Sequence, residues 1–164
     1  MNMIIRKAKP EDIDGIYKCF LEMAESEDDS SKRIADFILD VRKRRKNFEK
    51  SAKKELLREI KEKNSVYLIA EENNEIAGYI YGSIKKQKSP FFELPLIGKF
   101  NAIVVRKEFR GKGIAKQLNQ ELEDWMKKQG CKLIYLEVFS ENLASELYIK
   151  WGYKKTNYIM AKQI

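Results

Sequence analysis

The chain has 164 residues, of which 43% are apolar and 35% charged, and a net charge of +8, which suits one globular domain with its own core. No apolar run approaches the ~20 residues of a membrane span, and the N-terminus lacks a signal peptide's apolar stretch, so we expect a cytoplasmic protein without a membrane partner. With no His and only two cysteines, we expect neither a zinc site nor a His-dependent triad.

The first part of the chain is predicted to be one strand followed by helices. Residues 3–7 are predicted to be a strand, and apolar residues at helical spacing then predict a helix to about Glu25. Residues 26–31 are polar and predict a loop that ends in a helix N-cap. Residues 32–63 have helical periodicity, either as one helix or as two helices broken near Asn47.

The second part is predicted to alternate strands and helices. Two apolar runs on either side of Asn73-Asn74 predict a hairpin, because Asn tolerates the left-handed backbone of a tight turn. The predicted elements are strands 66–71 and 75–83, a loop 85–95, a strand 99–105, a helix 113–129, a strand 133–138, a short helix 144–151 and a last strand of about 154–162.

The segment between the strand 99–105 and the following helix has the features of a phosphate-binding loop. A strand, a glycine-containing turn and a helix start direct several backbone N–H groups at one point in front of a positive helix end. Gly111 and Gly113 allow a close approach of the main chain, and Arg110 and Lys112 add positive charge. The spacing matches neither the Walker loop nor the Gly-x-Gly-x-x-Gly fingerprint.

The motif Arg110-x-x-Gly113-x-Ala115 resembles the Arg/Gln-x-x-Gly-x-Gly/Ala signature of the GNAT superfamily of acetyl-CoA-dependent N-acetyltransferases. The resemblance covers essentially the whole chain, strongly over 99–155 and loosely over 30–98. One residue of the family pattern is missing between Asn142 and Ala144. The other matching segments are Ile4–Asp12 and the residues Leu136–Val138, Asn142, Ala144, Leu147–Tyr148 and Gly152–Tyr153.

The resemblance implies a single α/β domain over residues 1–164, with a mixed and mostly antiparallel twisted sheet flanked by helices. It implies transfer of acetyl from acetyl-CoA to a primary amine (a polyamine, a small amine or a peptide or protein amine) by direct attack in a ternary complex. It also implies that the strand 100–105 opens after Val104, which leaves a backbone N–H for the carbonyl oxygen. The residues it assigns to coenzyme A are Ile103, Val104, Val105, Arg110, Gly111, Lys112, Gly113, Ile114, Ala115, Asn142 and Tyr148.

The resemblance also assigns catalytic roles. Tyr148 corresponds to the tyrosine that protonates the departing sulfur, and a phenol with an ordinary pKa of ~10 suits that role. Glu137 corresponds to a glutamate that serves as general base in some members. Alternatives stay open: Glu93 or an ordered water as the base, Glu137 on a part-solvated strand face, and Tyr148 as a core aromatic.

The acceptor site is predicted from two segments that shape it in the family. Glu27, Asp28 and Asp29 form an acidic patch in a basic protein, which would attract a cationic amine. The other interpretation of this patch is a solvated turn. Phe91 and Phe92 lie in an apolar loop that is either a lid over the acceptor or a homodimer contact.

The basic charge is concentrated in residues 32–63, with 13 Lys and Arg against 6 Asp and Glu, a net of +7. Residues 42–46 are five consecutive cations. This pattern supports an alternative function, a non-catalytic module of the same fold that binds nucleic acid or an acidic partner through a basic helix. It equally describes a solvated helix face whose Lys and Arg stems cover apolar surface.

Overall fold

A five-stranded sheet organises the chain in the computed structural model, which describes residues 3–34 and 43–162. The strands lie in chain order across the sheet; the first four are antiparallel and the fifth is parallel to its neighbour. The predicted fold class, a mostly antiparallel sheet with flanking helices, is confirmed. Within the described ranges the elements are β1 (Met3–Lys7), α1 (Ile13–Ile34), α2 (Phe48–Ile60), β2 (Ser65–Glu72), β3 (Glu75–Lys86), β4 (Leu96–Val105), α3 (Ile114–Lys128), β5 (Leu133–Leu136) and α4 (Ala144–Lys150).

The hairpin of β2 and β3 turns at the predicted residues. Asn73 has φ 53° and Asn74 has φ 64°, the left-handed conformation that a two-residue type I′ turn needs at both central positions. Asparagine adopts this conformation at less cost than other residues that carry a Cβ. The turn fixes the register in which Glu72 pairs with Glu75 and Glu71 with Ile76, and a bulge at Ala77 then shifts the pairing by one residue, so that Ile69 pairs with Tyr79.

The two faces of the sheet pack against different helices. On one face, a Cβ at Gly82 or at Gly98 would collide with Leu122 or Met126 of α3, so the glycines allow this helix to lie close to the sheet. On the other face, aromatic side chains of β2 and β3 form a buried cluster with the first turns of α1 and with Leu56 of α2. That cluster contains Ile16, Tyr17, Cys19, Leu56, Tyr67, Ile69, Tyr79, Tyr81 and Val104.

Contacts divide the chain into two compact units. The first comprises Met1–Met23 and Asn47–Glu137 and contains the sheet with α2 and α3. The second comprises Ala24–Lys46 and Val138–Ile164 and contains the C-terminal part of α1 and all of α4. The prediction that residues 1–164 form a single domain stays a prediction. No helix in the described ranges is long and apolar enough to cross a membrane.

The prediction of a loop over residues 26–31 is wrong, because α1 continues through them to Ile34. Ser and Asp favour caps and turns but are tolerated inside a helix when their side chains find partners there. Ser30 illustrates this: its buried hydroxyl donates to the carbonyl of Ser26, one turn earlier, at 2.9 Å. The acidic residues of this segment are therefore helical.

Three further boundaries differ from the predictions. Residues 43–47 are not helical, so residues 32–63 are not one helix; the break near Asn47 is confirmed, and residues 35–42 of that prediction lie outside the described ranges. The strand predicted for 133–138 ends at Leu136. The strand predicted for about 154–162 is wrong: these residues form neither helix nor strand, because no strand of the described chain pairs with them.

Candidate active site

The loop between β4 and α3 forms an open cradle of backbone N–H groups. Gly111 has φ 80° and Gly113 has φ 77°, and a Cβ built on either residue would meet no atom within 4 Å. Gly113 is the N-cap of α3, and the first turn of any α-helix has N–H groups without partners inside the helix. The space in front of Gly111 and Gly113 is therefore open and faces a positive helix end, which suits a phosphate group.

A carboxylate on α1 holds the start of this loop. Glu22 Oε2 accepts the backbone N–H of Lys107 at 2.9 Å, and Glu22 Oε1 lies 3.8 Å from Nε of Arg106. The backbone N–H of Arg106 donates to the carbonyl of Ala77 at 2.9 Å. Contacts with α1 and β3 thus hold the end of β4 and the first residues of the loop in place. The glycines that follow face open space.

The two cations of the loop have different surroundings. Lys112 Nζ lies 2.6 Å from Oε2 of Glu72, whose side chain is buried. Arg110 donates from Nε to the carbonyl of Val105 at 2.9 Å, and its side chain is 52% exposed. Its guanidinium also lies 3.9 Å from Oε2 of Glu22, so both cations have a carboxylate partner, and Arg110 is the more exposed of the two.

The sheet opens beside β4, earlier than predicted. β5 pairs with β4 only from Ile97–Leu133 to Phe100–Leu136, so the opening begins after Phe100 and not after Val104. The physical reason is the shortness of β5, which has four residues. The irregularity in β4 is also earlier, because Tyr81 pairs with Ala102 and Gly82 with Phe100, which makes Asn101 the extra residue of a bulge.

The backbone groups of β4 alternate between β3 and this open edge. The backbone N–H of Arg106 bonds to β3. Along an antiparallel strand every second residue directs its backbone N–H and C=O to the same neighbour, so those of Val104 also face β3. Ile103 and Val105 then direct their N–H and C=O groups to the open edge, in agreement with the bond from Arg110 to the Val105 carbonyl. Val104 differs from these two, because its main chain pairs with β3 and its side chain is in the core. Its contact with the coenzyme stays a prediction.

A cavity of about 210 Å³ lies on the face of the sheet that packs against α1 and α2. Its polar lining groups are Glu55, Glu59 and Asn101. Asn101 and Ala102 are sequence neighbours that would normally point to opposite faces, and the bulge allows both to line the cavity. Its apolar and aromatic walls include Phe20, Met23, Leu56, Tyr79, Tyr81 and Ala102.

The two carboxylates of the cavity differ in their charge state. Hydrogen bonds from Arg58, at 2.6 and 3.0 Å, lower the pKa of Glu55 below its usual range. Burial, together with the nearby charge of Glu55, raises the pKa of Glu59 from 4.5 to about 7. At neutral pH Glu59 is therefore divided between its protonated and ionised forms, as a general base requires.

Sequence reasoning missed Glu59, although a signal was present. Leu56 and Ile60 belong to the apolar stripe of α2, and Glu59 follows Leu56 by three residues, so it lies on the same stripe. A carboxylate on the core face of a helix is costly unless it is paired or functional.

The predicted bases lie elsewhere in the first unit. Glu137 follows the end of β5, its side chain is 63% exposed, and its Oε1 lies 3.5 Å from Nζ of Lys99. Glu93 is exposed in the loop between β3 and β4. Neither is among the described residues that line the cavity, and their role as base stays a prediction.

Tyr148 and Asn142 lie in the second unit. Burial and the charge of Glu27 raise the pKa of Tyr148 to about 12, so its phenol is protonated at neutral pH. The side-chain oxygen of Asn142 accepts the backbone N–H of Ala144 at 2.9 Å, an Asx turn directly before α4. The roles of both residues toward the coenzyme stay predictions.

The residues predicted to bind the acceptor have partners or are exposed. On α1, Asp28 is 2.7 Å from Arg44, and Asp29 is 3.8 Å from Lys32, so part of their negative charge is already neutralised. In the loop before β4, Phe91 is 84% and Phe92 72% exposed. The geometry of the first unit instead gathers apolar walls and carboxylates in the cavity beside Asn101.

Comparison with known proteins supports this interpretation of the fold. The family model for the acetyltransferase (GNAT) family matches residues 11–153. The uncharacterised N-acetyltransferase YobR of Bacillus subtilis is 42% identical over 57 residues, which are 34% of this chain and 23% of YobR. A second curated relative is matched over 36% of its length, so the chain spans about a quarter to a third of these relatives.

Two solved structures share the fold over nearly their whole length. A tetramutant of the BH1408 protein from Bacillus halodurans superposes with a TM-score of 0.83 at 18% identity, covering 98% of this chain and 99% of that one. The aminoglycoside N-acetyltransferase AAC(6')-Iy, solved in complex with CoA, gives a TM-score of 0.67 at 17% identity and covers 98% of both chains. Members of the matching family use acetyl-CoA. The chain therefore belongs to the acetyltransferase (GNAT) family.

Proposed function

We propose that this chain is an N-acetyltransferase that moves the acetyl group of acetyl-CoA to a primary amine by direct attack in a ternary complex. The observation that carries the proposal is the open cradle at Gly111 and Gly113, which stands at the end of a strand with an unpaired edge. The cradle fits a pyrophosphate, because Gly111 and Gly113 leave open space beside the N–H groups of the first turn of α3, which have no partner inside the helix. The edge groups of Ile103 and Val105 fit the amides of a pantetheine arm, as an added strand would.

Coenzyme A, when bound, supplies the acetyl group as a thioester. The residues of this chain would hold it through the main chain from Gly111 to Ala115, the Arg110 guanidinium and the open edge of β4. A backbone N–H at this edge would stabilise negative charge on a carbonyl oxygen. Tyr148, which is protonated at neutral pH, keeps its predicted role as donor to the departing sulfur.

The alternative function, nucleic-acid binding through a basic helix, has less support. The run of cations over residues 43–46 is not helical, and Arg44 pairs with Asp28. On α2, Lys53 contacts two carboxylates at 2.8 and 2.9 Å, and Arg58 also contacts two, at 2.6 and 3.7 Å. Ion pairs reduce the charge that such a surface offers to phosphates.

Thiol release from acetyl-CoA with a panel of amines tests the proposal. An enzyme releases free thiol in proportion to one of the amines, and coenzyme A binding is lost when the cradle is filled. Salt-sensitive nucleic-acid binding without amine-dependent thiol release would favour the alternative. A cytoplasmic location, and a homodimer contact through Phe91 and Phe92, are kept as proposals beside this one.

A further inference from the structure

We propose that the cavity beside Asn101 is the acceptor site, that it takes a small apolar primary amine such as an alkyl- or arylalkylammonium ion, and that Glu59 accepts the proton of that amine. This inference rests on the proposed function, since it names the acceptor class and the base of the same reaction. It replaces Glu137 with a half-buried residue that lines a mostly apolar cavity.

The size of the cavity limits the acceptor. An apolar cavity of roughly 150 Å³ is large enough to hold benzene, and drug-sized ligands need ~300 Å³ or more. The cavity here has about 210 Å³, which leaves room for one ring with a short aminoalkyl chain. Phe20, Leu56 and Ala102 offer such a stem only apolar contacts. A polyamine would leave charged nitrogens against these walls without partners.

The charges of the cavity select a cation. Arg58 is bonded to Glu55, so it does not neutralise Glu59 by direct contact. An ammonium group can pair with Glu59, whereas a carboxylate ligand would meet two carboxylates. The lining residues from α1 and β4, such as Met23 and Asn101, carry no charge. The titratable groups around Glu59 on other elements are Tyr67 of β2 and Tyr81 of β3, with Glu55, Arg58 and Glu62 on or after α2.

The cavity lies next to the strand edge that opens for the coenzyme. Asn101 and Ala102 line the cavity, and Asn101 is also the first residue of β4 beyond its last pair with β5. The side-chain nitrogen of Asn101 donates to Oγ of Ser83 at 2.7 Å, so its oxygen keeps its capacity to accept a hydrogen bond from an amine. The bulge at Asn101 therefore lies beside both the cavity and the open edge of β4.

The proton balance of the transfer needs one base. The ammonium ion gives one proton to the Glu59 carboxylate and becomes the nucleophile. Its nitrogen forms the new C–N bond to the acetyl carbon as the C–S bond breaks; the acid of the reaction protonates the departing sulfur, and the second N–H proton restores that acid. Glu59 then returns its proton to solvent, so the products are an amide, a thiol and one proton. A base that is half ionised near neutral pH performs this step efficiently.

The test compares Glu59→Gln with Glu121→Gln, a matched change of an exposed glutamate on α3. Acceptors are 2-phenylethylamine, spermidine and a lysine peptide, assayed by thiol release from pH 6 to 9. We expect the parent to prefer 2-phenylethylamine, and Glu59→Gln to lower its kcat/KM about 10²-fold while removing the rise in rate near pH 7. Glu121→Gln should behave as the parent does.

Two further measurements do not depend on turnover. Ala52 of α2 also lines the cavity, so Ala52→Leu narrows it. Calorimetry without coenzyme should show weaker 2-phenylethylammonium binding in Glu59→Gln and in Ala52→Leu, and unchanged binding in Glu121→Gln. Glu59→Gln and Ala52→Leu should bind acetyl-CoA with the affinity of the parent. If the parent acetylates any amine while Glu59→Gln keeps its kcat/KM and pH profile, the present inference is overturned and the proposed function stands. If the parent releases no thiol with any amine, the proposed function itself fails.

Discussion

Replacing Glu59 by Gln should stabilise the folded protein above neutral pH and have little effect in acid. Burial raises the pKa of this carboxyl from 4.5 to about 7, so the folded chain holds the proton more tightly than the unfolded chain does. Stability is therefore highest when both states are protonated and falls as the pH rises through this interval. Gln keeps the size of the side chain and removes its charge.

The size of the effect follows from the two pKa values. A difference of about 2.5 in pKa corresponds to roughly 3 kcal/mol between the folded and unfolded states. Since part of the side chain reaches solvent, we expect about half of this, ~1.5 kcal/mol, at pH 8. For a chain of this length each kcal/mol shifts Tm by about 2–4 °C, which gives a gain of about 3–6 °C.

Thermal unfolding of the parent, Glu59→Gln and Glu121→Gln at pH 5 and pH 8 measures this difference. The gain of Glu59→Gln over the parent should be mostly absent at pH 5 and present at pH 8, and Glu121→Gln should follow the parent at both. An equal difference at the two pH values would mean that Glu59 ionises as an ordinary surface carboxyl. The charge argument for the cavity would then be wrong.

Three other predictions address the coenzyme, the proton donor and the acidic residues of α1. Gly113→Ala and Gly130→Ala place a Cβ at similar positive φ in open space, so both should cost about 1 kcal/mol of stability, but only Gly113→Ala should weaken acetyl-CoA binding in calorimetry. If the two variants bind acetyl-CoA with equal affinity, the cradle is not part of the coenzyme site. Tyr148→Phe should lower kcat on the order of 10²-fold and leave the acetyl-CoA affinity unchanged. If kcat is unchanged although the chemical step is rate-limiting, Tyr148 is a core aromatic and not the proton donor. Because Asp28 and Asp29 already have cationic partners, neutralising both to Asn should change KM for the best amine less than about twofold; a larger rise that salt abolishes would place the acceptor entrance on α1.

Local signals in the sequence predicted the elements that depend on local chemistry. The paired asparagines at 73–74 specify their turn by themselves, and the glycines at 111 and 113 specify the loop before α3. The helix predicted over 113–129 is confirmed as α3, and its apolar residues Leu118 and Leu122, four positions apart, are buried. In these segments the structure that neighbouring residue types favour is also the structure that forms.

Features that depend on distant partners were not predictable in this way. The polar run over 26–31 is also compatible with an exposed helix, and its inclusion in α1 is decided by packing. The point at which β4 and β5 separate depends on how long β5 stays paired, and the bulge at Asn101 leaves no local mark in the sequence. The environment of Glu59 arises only when α1, α2 and the sheet meet.

Transfer of a labelled acetyl group is the most direct measurement of what this protein does. The purified chain is incubated with acetyl-CoA that carries the label in its acetyl group, together with 2-phenylethylamine, spermidine or a lysine peptide, and the amine products are identified by mass spectrometry. We expect one labelled acetyl group on nitrogen, with release of an equal amount of thiol, and its loss when Gly113 is replaced by Val. Binding of acetyl-CoA with no labelled amide from any acceptor would contradict an N-acetyltransferase function.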